Sequence, residues 1–330
     1  MTFLSNCRPT FEIFSNCLWL ACLVFGSVAN AQTPTWPERP IRVVVPAGAG
    51  GAMDIVMRKI TPELTKALGQ AVIVENRPGA AGRIAIAEVN KATSDGYTLL
   101  HATQAVMVLL PLTSGKNYSD LVKDYIPIAR VSISYPMVAV PANSPAFKLA
   151  DLKNLSRPPT IGLSGLGGYD EAVALSLGRA IGVEFTSVPF SQGSMAALLD
   201  AAKGSIDATL TYPSEAVGLI ASGKIRLLAT MAPTRNAMFP NVPSIAETAA
   251  PDTGIAVWTA LFAPAGTPPL VVERLRNEIN KVIAGDAYKA WRETQGAQVE
   301  ALDGPGFTQF LNAQRVSLKK IVDTYGLKSE

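Results

Sequence analysis

The pattern that best predicts the fold is Val43-Val44-Val45-Pro46-Ala47-Gly48-Ala49-Gly50-Gly51-Ala52-Met53-Asp54. An apolar run there ends in a glycine-rich turn, and a helix-like run follows the turn. Glycines remove Cβ atoms from the approach to the turn, and the first N–H groups of the helix have no intrahelical partner. Such a turn favours an anion. A turn of the same kind lies at Thr160-Ile161-Gly162-Leu163-Ser164-Gly165-Leu166-Gly167-Gly168-Tyr169-Asp170. We therefore expect one ligand between two α/β units.

Short apolar runs alternate with amphipathic stretches in both halves of the chain, which is typical of parallel α/β sheets. The sequence predicts an α/β fold of two lobes, each a doubly wound and mostly parallel sheet, with a ligand cleft between them. Predicted strands cover residues 41–45, 71–74, 97–102, 160–163, 184–188, 206–210 and 225–230. Predicted helices cover residues 54–68, 84–92, 170–181, 195–202 and 213–221.

The alternation is interrupted twice, as expected for two lobes joined by a hinge. A long extended run covers residues 126–140, and residues 141–144 follow as the predicted first crossing. Residues 255–263 predict a strand that returns to the first lobe, and two closing helices follow at 268–284 and 305–325. The predicted division is 32–138 plus 254–330 for lobe one and 139–253 for lobe two.

The first 31 residues are predicted to be a secretory signal peptide. A short apolar core at Cys17-Leu18-Trp19-Leu20-Ala21-Cys22-Leu23-Val24-Phe25 precedes Ala29-Asn30-Ala31, a small-residue pattern that suits cleavage before Gln32. Lipoprotein processing at Cys22 is the alternative, although Trp19 and Leu20 fit such a site poorly. We therefore expect a secreted protein that is cleaved after Ala31, and the family resemblance described below implies that it is periplasmic.

Composition excludes several functional classes. Charged residues are 17% of the 330 and hydrophobic ones 48%, with a formal net charge of +3, which fits an ordered globular protein of about two domains. All three cysteines, Cys7, Cys17 and Cys22, lie in the predicted leader, so the mature chain has no disulfide or thiolate chemistry. No basic cluster interleaved with aromatics indicates a nucleic-acid surface.

An oxidoreductase with a dinucleotide cofactor is one alternative, since a strand, a glycine-rich turn and a helix lead to a second strand that ends at Glu75. The glycine spacing is wrong for it. Gly48 and Gly50 require a third glycine at position 53, where Met53 stands. We expect no cofactor.

A hydrolase is the other catalytic alternative, but the chain contains a single histidine, His101, and no Gly-x-Ser-x-Gly motif. Ser164 lies in Leu-Ser-Gly instead. A lone histidine also makes a zinc site improbable, so no metal is expected. His101 is expected to have a hydrogen-bonded structural role, with an approach to the cleft as the alternative.

Two further charged residues have structural interpretations. Asp54 lies in the first turn of a predicted helix, where a carboxylate accepts free N–H groups and repels an anionic ligand, so it is expected to organise the loop. Arg77 could bind a carboxylate, but a turn stabilised by an Arg–Glu contact with Glu75 is the preferred interpretation.

From Trp36 to about Val322 the chain resembles the periplasmic substrate-binding receptors of tripartite tricarboxylate transporters, the Bug receptor family. The order and spacing of several landmarks carry the resemblance. They are Trp36-Pro37-Glu38-Arg39-Pro40-Ile41-Arg42, Gly50-Gly51 with Asp54, Glu75-Asn76-Arg77-Pro78-Gly79-Ala80, Asp95-Gly96-Tyr97-Thr98-Leu99-Leu100, Val188-Pro189-Phe190, Gly223-Lys224-Ile225-Arg226, Trp258, and Phe262-Ala263-Pro264-Ala265-Gly266-Thr267-Pro268.

The resemblance implies a two-lobed periplasmic-binding-protein fold that closes on a small organic acid, with one carboxylate near the lobe-one turn. It places ligand-binding residues by position. The lobe-one wall would be Ala47, Gly48, Ala49, Gly50, Thr103 and Gln104. The lobe-two wall would be Ser164, Gly165, Leu166, Gly167, Gly168, Tyr169, Gln192, Gly193, Ser194, Thr211 and Tyr212.

The chain departs from the family pattern in ways that bear on its ligand. Leu166 stands in a segment where relatives show Gly-Asn-Gly-Ser, Glu171 stands where a histidine is frequent, and Thr211-Tyr212 replaces an Asp-Asn pair. Polar groups are thus exchanged for apolar and aromatic ones. This favours a ligand with one carboxylate and an aromatic or apolar body over citrate or aspartate, because burying several charges without cationic partners is costly.

The sequence therefore predicts a non-enzymatic receptor, acting as a monomer, that passes a small organic acid to the membrane components of a secondary transporter. Binding would close the hinge, since the ligand contacts both walls only in the closed state. A periplasmic ligand-sensing adaptor for a signalling system is the alternative, and its pocket would look the same. An NAD-type oxidoreductase is the third hypothesis.

Overall fold

The computed structural model describes residues 36–114, 121–166, 168–190, 192–297, 301–302 and 304–327. The predicted signal peptide and Gly167 lie outside the described residues. No helix of the described residues is long and apolar enough to cross a membrane.

The first strand and helix form as the opening stretch predicts. Strand β1, Ile41–Val45, is buried along most of its length, as expected for a central strand covered on both faces. Helix α1, Ala52–Leu68, buries Val56, Ile60 and Leu64, whose spacing of four residues places them on one face. The helix ends at Gly69, which adopts the left-handed conformation at φ 72°.

The described chain has ten strands and ten α-helices. The remaining strands are β2 Val72–Asn76, β3 Thr98–Thr103, β4 Tyr125–Ser134, β5 Met137–Pro141, β6 Thr160–Leu163, β7 Thr186–Pro189, β8 Ala208–Thr211, β9 Ile225–Thr230 and β10 Val257–Pro264. The remaining helices are α2 Arg83–Val89, α3 Leu110–Thr113, α4 Leu121–Asp124, α5 Tyr169–Ile181, α6 Ser194–Ala202, α7 Pro213–Ala221, α8 Pro269–Ala284, α9 Asp286–Thr294 and α10 Gly304–Tyr325. A π-helix, Ala105–Leu109, precedes α3.

The strands form two five-stranded sheets, in the orders β2-β1-β3-β10-β4 and β7-β6-β8-β5-β9. In the first sheet, β10 is antiparallel to both of its neighbours, β3 and β4. In the second sheet, β5 is antiparallel to both of its neighbours, β8 and β9. The pairs of β1 with β2 and β3, and of β6 with β7 and β8, are parallel. Four of the five strands in each sheet therefore run in one direction, which confirms the predicted α/β class.

The chain passes between the two sheets at their carboxyl edges. Strand β4 ends at Ser134, which pairs with the first residue of β10, and β5 begins at Met137, which pairs with the last residues of β8 and β9. Only two residues separate the sheets here, so these edges are within about 10 Å of each other. The carboxyl edges of the two sheets therefore lie next to each other at this crossing.

The return crossing runs from the end of β9 to the start of β10 and joins the same two edges. The two crossings are held together because the N–H of Met231 donates to the carbonyl of Pro136 at 2.8 Å. Further contacts link the lobes beside the crossings. The Tyr325 hydroxyl at the end of α10 donates to the Leu175 carbonyl in α5 at 3.0 Å. The predicted lobe boundaries stay a prediction.

Gly162 in β6 offers a test of how tightly lobe two is packed. A Cβ at this position would lie 2.6 Å from Ile206 Cδ1 and 2.8 Å from Ala197 Cβ. We expect Gly162→Ala to lower the free energy of unfolding by about 1–3 kcal/mol, since neither neighbour can move freely in the core. Gly165→Ala, where a Cβ meets open space, is the matched control. Urea denaturation that gives equal midpoints for both variants would contradict this packing.

Candidate ligand-binding cleft

The lobe-one turn, residues 46–51, follows the carboxyl end of β1 and is organised by Asp54. The carboxylate of Asp54 is only 2% exposed and accepts the N–H of Gly50 at 2.9 Å. Gly50 has a φ of 79°, which favours glycine. Asn76 at the end of β2 donates to the Ala47 carbonyl at 3.0 Å. Both ends of the turn are therefore fixed by side chains outside it.

Asp54 is also ion-paired. Arg58 Nε lies 3.0 Å from Asp54 Oδ1 and 2.9 Å from Oδ2, one helical turn further along α1. The Arg58 hydrogen bond is the main cause that lowers the pKa of Asp54 below its usual value, against the opposing effect of burial. The negative charge beneath the lobe-one turn is thus neutralised by a cation within the same helix.

Thr103 and Gln104 lie at the carboxyl end of β3, beside this turn in the sheet order, but their side chains are engaged within the protein. Gln104 is 2% exposed, and its Oε1 accepts the N–H of Trp258 at 3.0 Å. Thr103 Oγ1 accepts the N–H of Val106 at 3.3 Å. The Gln104 contact ties the edge of lobe one to the start of β10, at the return crossing.

The lobe-two turn after β6 has an arrangement similar to that of lobe one. Asp170 in the first turn of α5 is 5% exposed, and its Oδ2 accepts the N–H of Ser164 at 3.0 Å and the Ser164 hydroxyl at 2.5 Å. Gly165 and Leu166 follow, and Leu166 is 52% exposed. Gly168 precedes α5 in an extended conformation. The turn therefore presents glycines and an exposed leucine, with Ser164 bonded to Asp170.

A second carboxylate, Glu215, gathers the other predicted polar groups of lobe two. Its Oε1 accepts the Ser194 hydroxyl at 2.8 Å, and its Oε2 accepts the Thr211 hydroxyl at 3.1 Å and the Tyr212 N–H at 3.2 Å. Glu215 lies in the first turn of α7. The three polar residues are thus brought together around Glu215, to which each of them donates a hydrogen bond.

Two tyrosines of lobe two differ in their surroundings. Tyr169 is buried, and its hydroxyl donates to the Ile255 carbonyl in the return crossing at 2.5 Å. Tyr212 is partly exposed. Burial raises the pKa of the Tyr212 phenol well above its usual value, and the nearby charges of Asp170 and Glu215 act in the same direction. Tyr169 therefore contacts the return crossing, and Tyr212 is a partly exposed residue whose phenol lies near both carboxylates.

Gln192 lies apart from these residues. It is exposed and lines a groove of about 390 Å³ together with Pro189, Phe190, Ala196 and Leu199 of lobe two. Gly193 follows it with a φ of 90° and precedes α6. The groove contains none of the other predicted wall residues.

Asp170 and Glu215 were missed as functional residues by the sequence reasoning, which recognised only Asp54. All three lie in the first turn of a helix that follows a parallel strand, so an acidic residue at that position was the available signal. Each carboxylate accepts the backbone N–H of a residue in the preceding turn. Three turns at the facing sheet edges are therefore shaped by three buried or half-buried carboxylates.

His101 does not reach the cleft, and the expected hydrogen bond is wrong. It is fully buried in β3 opposite Leu261 of β10, and neither ring nitrogen has a hydrogen-bond partner among the described residues. Desolvation lowers the pKa of His101 to about 3. The imidazole is therefore neutral at physiological pH and acts as a core side chain.

His101 should make the free energy of unfolding depend on pH below its ordinary pKa of 6.5 and above its folded-state pKa of about 3. Between pH 6.5 and 3 the unfolded chain binds a proton at this residue that the folded chain does not, so stability falls as pH falls, by about 1.4 kcal/mol per pH unit. We expect His101→Leu to remove this slope between pH 6.5 and 5. Carboxylates with lowered pKa values, such as Glu247 with a pKa of about 2, act only at lower pH. If the free energy of unfolding of His101→Leu, measured by urea titration, fell with pH as steeply as that of the unmodified protein, this role of His101 would be contradicted.

Two remaining sequence interpretations concern ions. Arg77 donates to Glu75, which is the preferred Arg–Glu turn contact rather than a free cation. Within the described ranges, no group of three or more His, Cys, Asp or Glu side chains is arranged to hold a metal ion.

Comparison with known proteins agrees with this architecture. The family model for the tripartite tricarboxylate transporter family receptor matches residues 56–327. A UPF0065 protein of Bordetella bronchiseptica is 33% identical over 326 residues, which cover 98% of this chain and 97% of that protein. The structure of Rpa4515 from R. palustris with adipate is 28% identical, with a TM-score of 0.75 over 89% of this chain and 99% of that one.

A further solved structure, MatC from Rhodopseudomonas palustris with bound malate, is 27% identical, with a TM-score of 0.71 over 87% of this chain and all of that one. This chain belongs to the tripartite tricarboxylate transporter receptor family. The resemblance drawn from the sequence is thereby confirmed, as is the two-lobed fold of periplasmic binding proteins. Members of this family are solute-binding receptors, so the protein is a receptor and not an enzyme.

Proposed function

We propose that this protein is a periplasmic receptor that captures an aromatic or apolar monocarboxylate between its lobes and delivers it to the membrane components of a tripartite tricarboxylate-type transporter. The observation that carries the proposal is the two-residue crossing at Tyr135 and Pro136, which joins the carboxyl edges of the two sheets and keeps them close to each other. A glycine-rich turn follows one strand at each edge, β1 in the first sheet and β6 in the second. One small ligand between the two turns would contact both lobes.

The carboxylate of the ligand belongs at the lobe-one turn in this proposal. Ala47, Gly48, Ala49 and Gly50 follow β1, and Gly48, Ala49 and Gly50 are exposed. Backbone N–H groups of such a turn favour an anion. Asp54 below the turn is neutralised by Arg58 at 2.9 Å, so its charge opposes an incoming anion only weakly. Asp54 is thus proposed to organise the turn rather than to bind the ligand.

The body of the ligand belongs against lobe two. Leu166 is exposed there, and Tyr212, which is partly exposed, supplies an aromatic side chain. None of the proposed wall residues is a lysine or an arginine. Two solved relatives hold malate and adipate, which are small organic acids. A citrate ion would carry two further charges into this cleft without a cationic partner among the wall residues, which is costly.

Binding of matched acids tests the proposal. Calorimetric titration of the mature protein should detect hexanoate or benzoate, while hexanamide, the neutral counterpart of hexanoate, should bind at least tenfold more weakly because it lacks the charge that the lobe-one turn favours. Citrate should bind more weakly than either acid. Preferential binding of citrate, or equal binding of hexanoate and hexanamide, would refute the proposed ligand class.

Transport is tested in cells. Deleting the gene in a strain that still expresses the transporter should abolish uptake of an acid that the purified receptor binds, and complementation should restore it. Unchanged uptake kinetics would refute delivery and favour a sensing role. Native mass spectrometry of freshly purified protein would identify an acid that remains bound through purification.

A further inference from the structure

Asp170 and Glu215 differ from Asp54 in one respect that bears on ligand charge. Among the described residues neither carboxylate forms an ion pair, whereas Asp54 is paired with Arg58 through both of its oxygens. Asp170 is 5% exposed, and Glu215 is half-buried. Lobe two therefore holds two negative charges whose stabilisation comes from hydrogen bonds.

The donors that stabilise these charges are the same groups that could have received a ligand carboxylate. The hydroxyls of Ser164, Ser194 and Thr211 donate to Asp170 or Glu215 at 2.5–3.1 Å. A hydroxyl has a single proton to donate, so a second acceptor has to compete for it. The protons of these three hydroxyls are thus engaged within the protein, and the hydroxyls present mainly lone pairs to a ligand.

The two carboxylates also lie beside the accessible aromatic of the wall. Charges on both Asp170 and Glu215 act on the Tyr212 phenol, which follows β8 at the carboxyl edge and remains protonated. A neutral or apolar group of the ligand can therefore pack on this ring. An anionic group at the same place would face two carboxylates in a region of low dielectric.

Resting on the proposed function, we infer that Asp170 and Glu215 set the charge selectivity of the receptor by rejecting a second carboxylate at the lobe-two end of the ligand. The ligand then binds in one orientation within the cleft. Its carboxylate lies at the lobe-one turn, where Asp54 is neutralised, and its uncharged end lies at lobe two. Glu215 and Asp170 act through space and through the donors that they occupy, without requiring direct contact.

Hexanoate and adipate form the matched pair of probes, because they share a six-carbon chain and differ in the second carboxylate. In calorimetric titrations of the mature protein at pH 7.5, we expect hexanoate to bind at least tenfold more tightly than adipate. Glu215→Gln and Asp170→Asn each keep an acceptor oxygen and remove the charge. Each should reduce the hexanoate-to-adipate ratio at least threefold, mainly by strengthening adipate, and the double variant should reduce it further.

Asp200→Asn is the control, since Asp200 is a partly exposed carboxylate of α6 that pairs with Lys203 at 2.9 Å, unlike Asp170 and Glu215. The ratio of hexanoate affinity to adipate affinity should be the same for this variant as for the unmodified protein. If Asp170→Asn fails to fold, Glu215→Gln alone decides the outcome. Adipate binding as tightly as hexanoate to the unmodified protein, or a ratio unchanged in the folded variants, would overturn the inference while leaving the receptor function intact. Failure of both acids to bind would instead count against the proposed function.

Discussion

Gly48→Val is expected to reduce the affinity for hexanoate at least a hundredfold while leaving the fold unchanged. A Cβ at Gly48 meets no atom within 4 Å, and its backbone φ lies outside the left-handed region, so the substitution introduces no clash. The new side chain would occupy the approach to the lobe-one turn at the carboxyl edge. Calorimetric titration measures the affinity, and urea denaturation should show a stability change within about 0.5 kcal/mol.

The control for this prediction is Gly218→Val in α7. Gly218 also meets no atom within 4 Å of an added Cβ, and it lies on an exposed helix away from the proposed walls. It should bind hexanoate with unchanged affinity. Gly165→Val, the corresponding change in the lobe-two turn, should weaken binding as Gly48→Val does, because neither wall is expected to hold the ligand alone. Normal affinity in either wall variant would contradict a ligand held between both turns.

Asp54→Ala is expected to have the second largest effect, on stability and affinity together. It removes the acceptor for the Gly50 N–H and the partner of Arg58. We expect the free energy of unfolding to fall by about 1–3 kcal/mol, as for the loss of a buried hydrogen-bonded acceptor. Hexanoate affinity should fall about tenfold, since the turn would lose the contact that fixes its conformation. Thermal denaturation and titration of the same samples measure both effects.

Glu63→Ala provides the comparison on the same helix. Glu63 is an exposed carboxylate paired with Lys66 at 2.8 Å, and such surface pairs contribute about 0–1 kcal/mol. Asp54→Asn, which retains an acceptor oxygen, should recover part of the affinity lost in Asp54→Ala. If Asp54→Ala behaved like Glu63→Ala in both assays, Asp54 would have no role in organising the turn.

Local patterns predicted much of the fold because its elements have clear sequence boundaries. Strands 41–45, 160–163 and 225–230 and helix 213–221 have the bounds that apolar periodicity and turn residues indicated. The π-helix at 105–109 was not predicted, since its continuous apolar run has no period that distinguishes helix from strand. Helix α9 was also missed.

The site was harder to predict, because its side-chain contacts span long separations in sequence. Gln104 accepts an N–H from Trp258, 154 residues away, and Tyr169 donates to Ile255, 86 residues away. No local pattern reports such pairs. The engagement of Ser194 by Glu215 likewise depends on how α6 and α7 approach each other. The sequence predicted which turns would form the walls, and tertiary packing determines which of the donors in those turns are occupied.

Amide chemical-shift mapping with hexanoate would show whether turns from both lobes contact one anionic ligand. In nitrogen–proton correlation spectra of the mature, isotopically labelled protein, we predict saturable shifts at residues 47–50 and at 164–166 with the same dissociation constant. Residues of α8 should be unaffected. Shifts confined to one of the two turns, or two different dissociation constants, would contradict a single ligand held between the lobes.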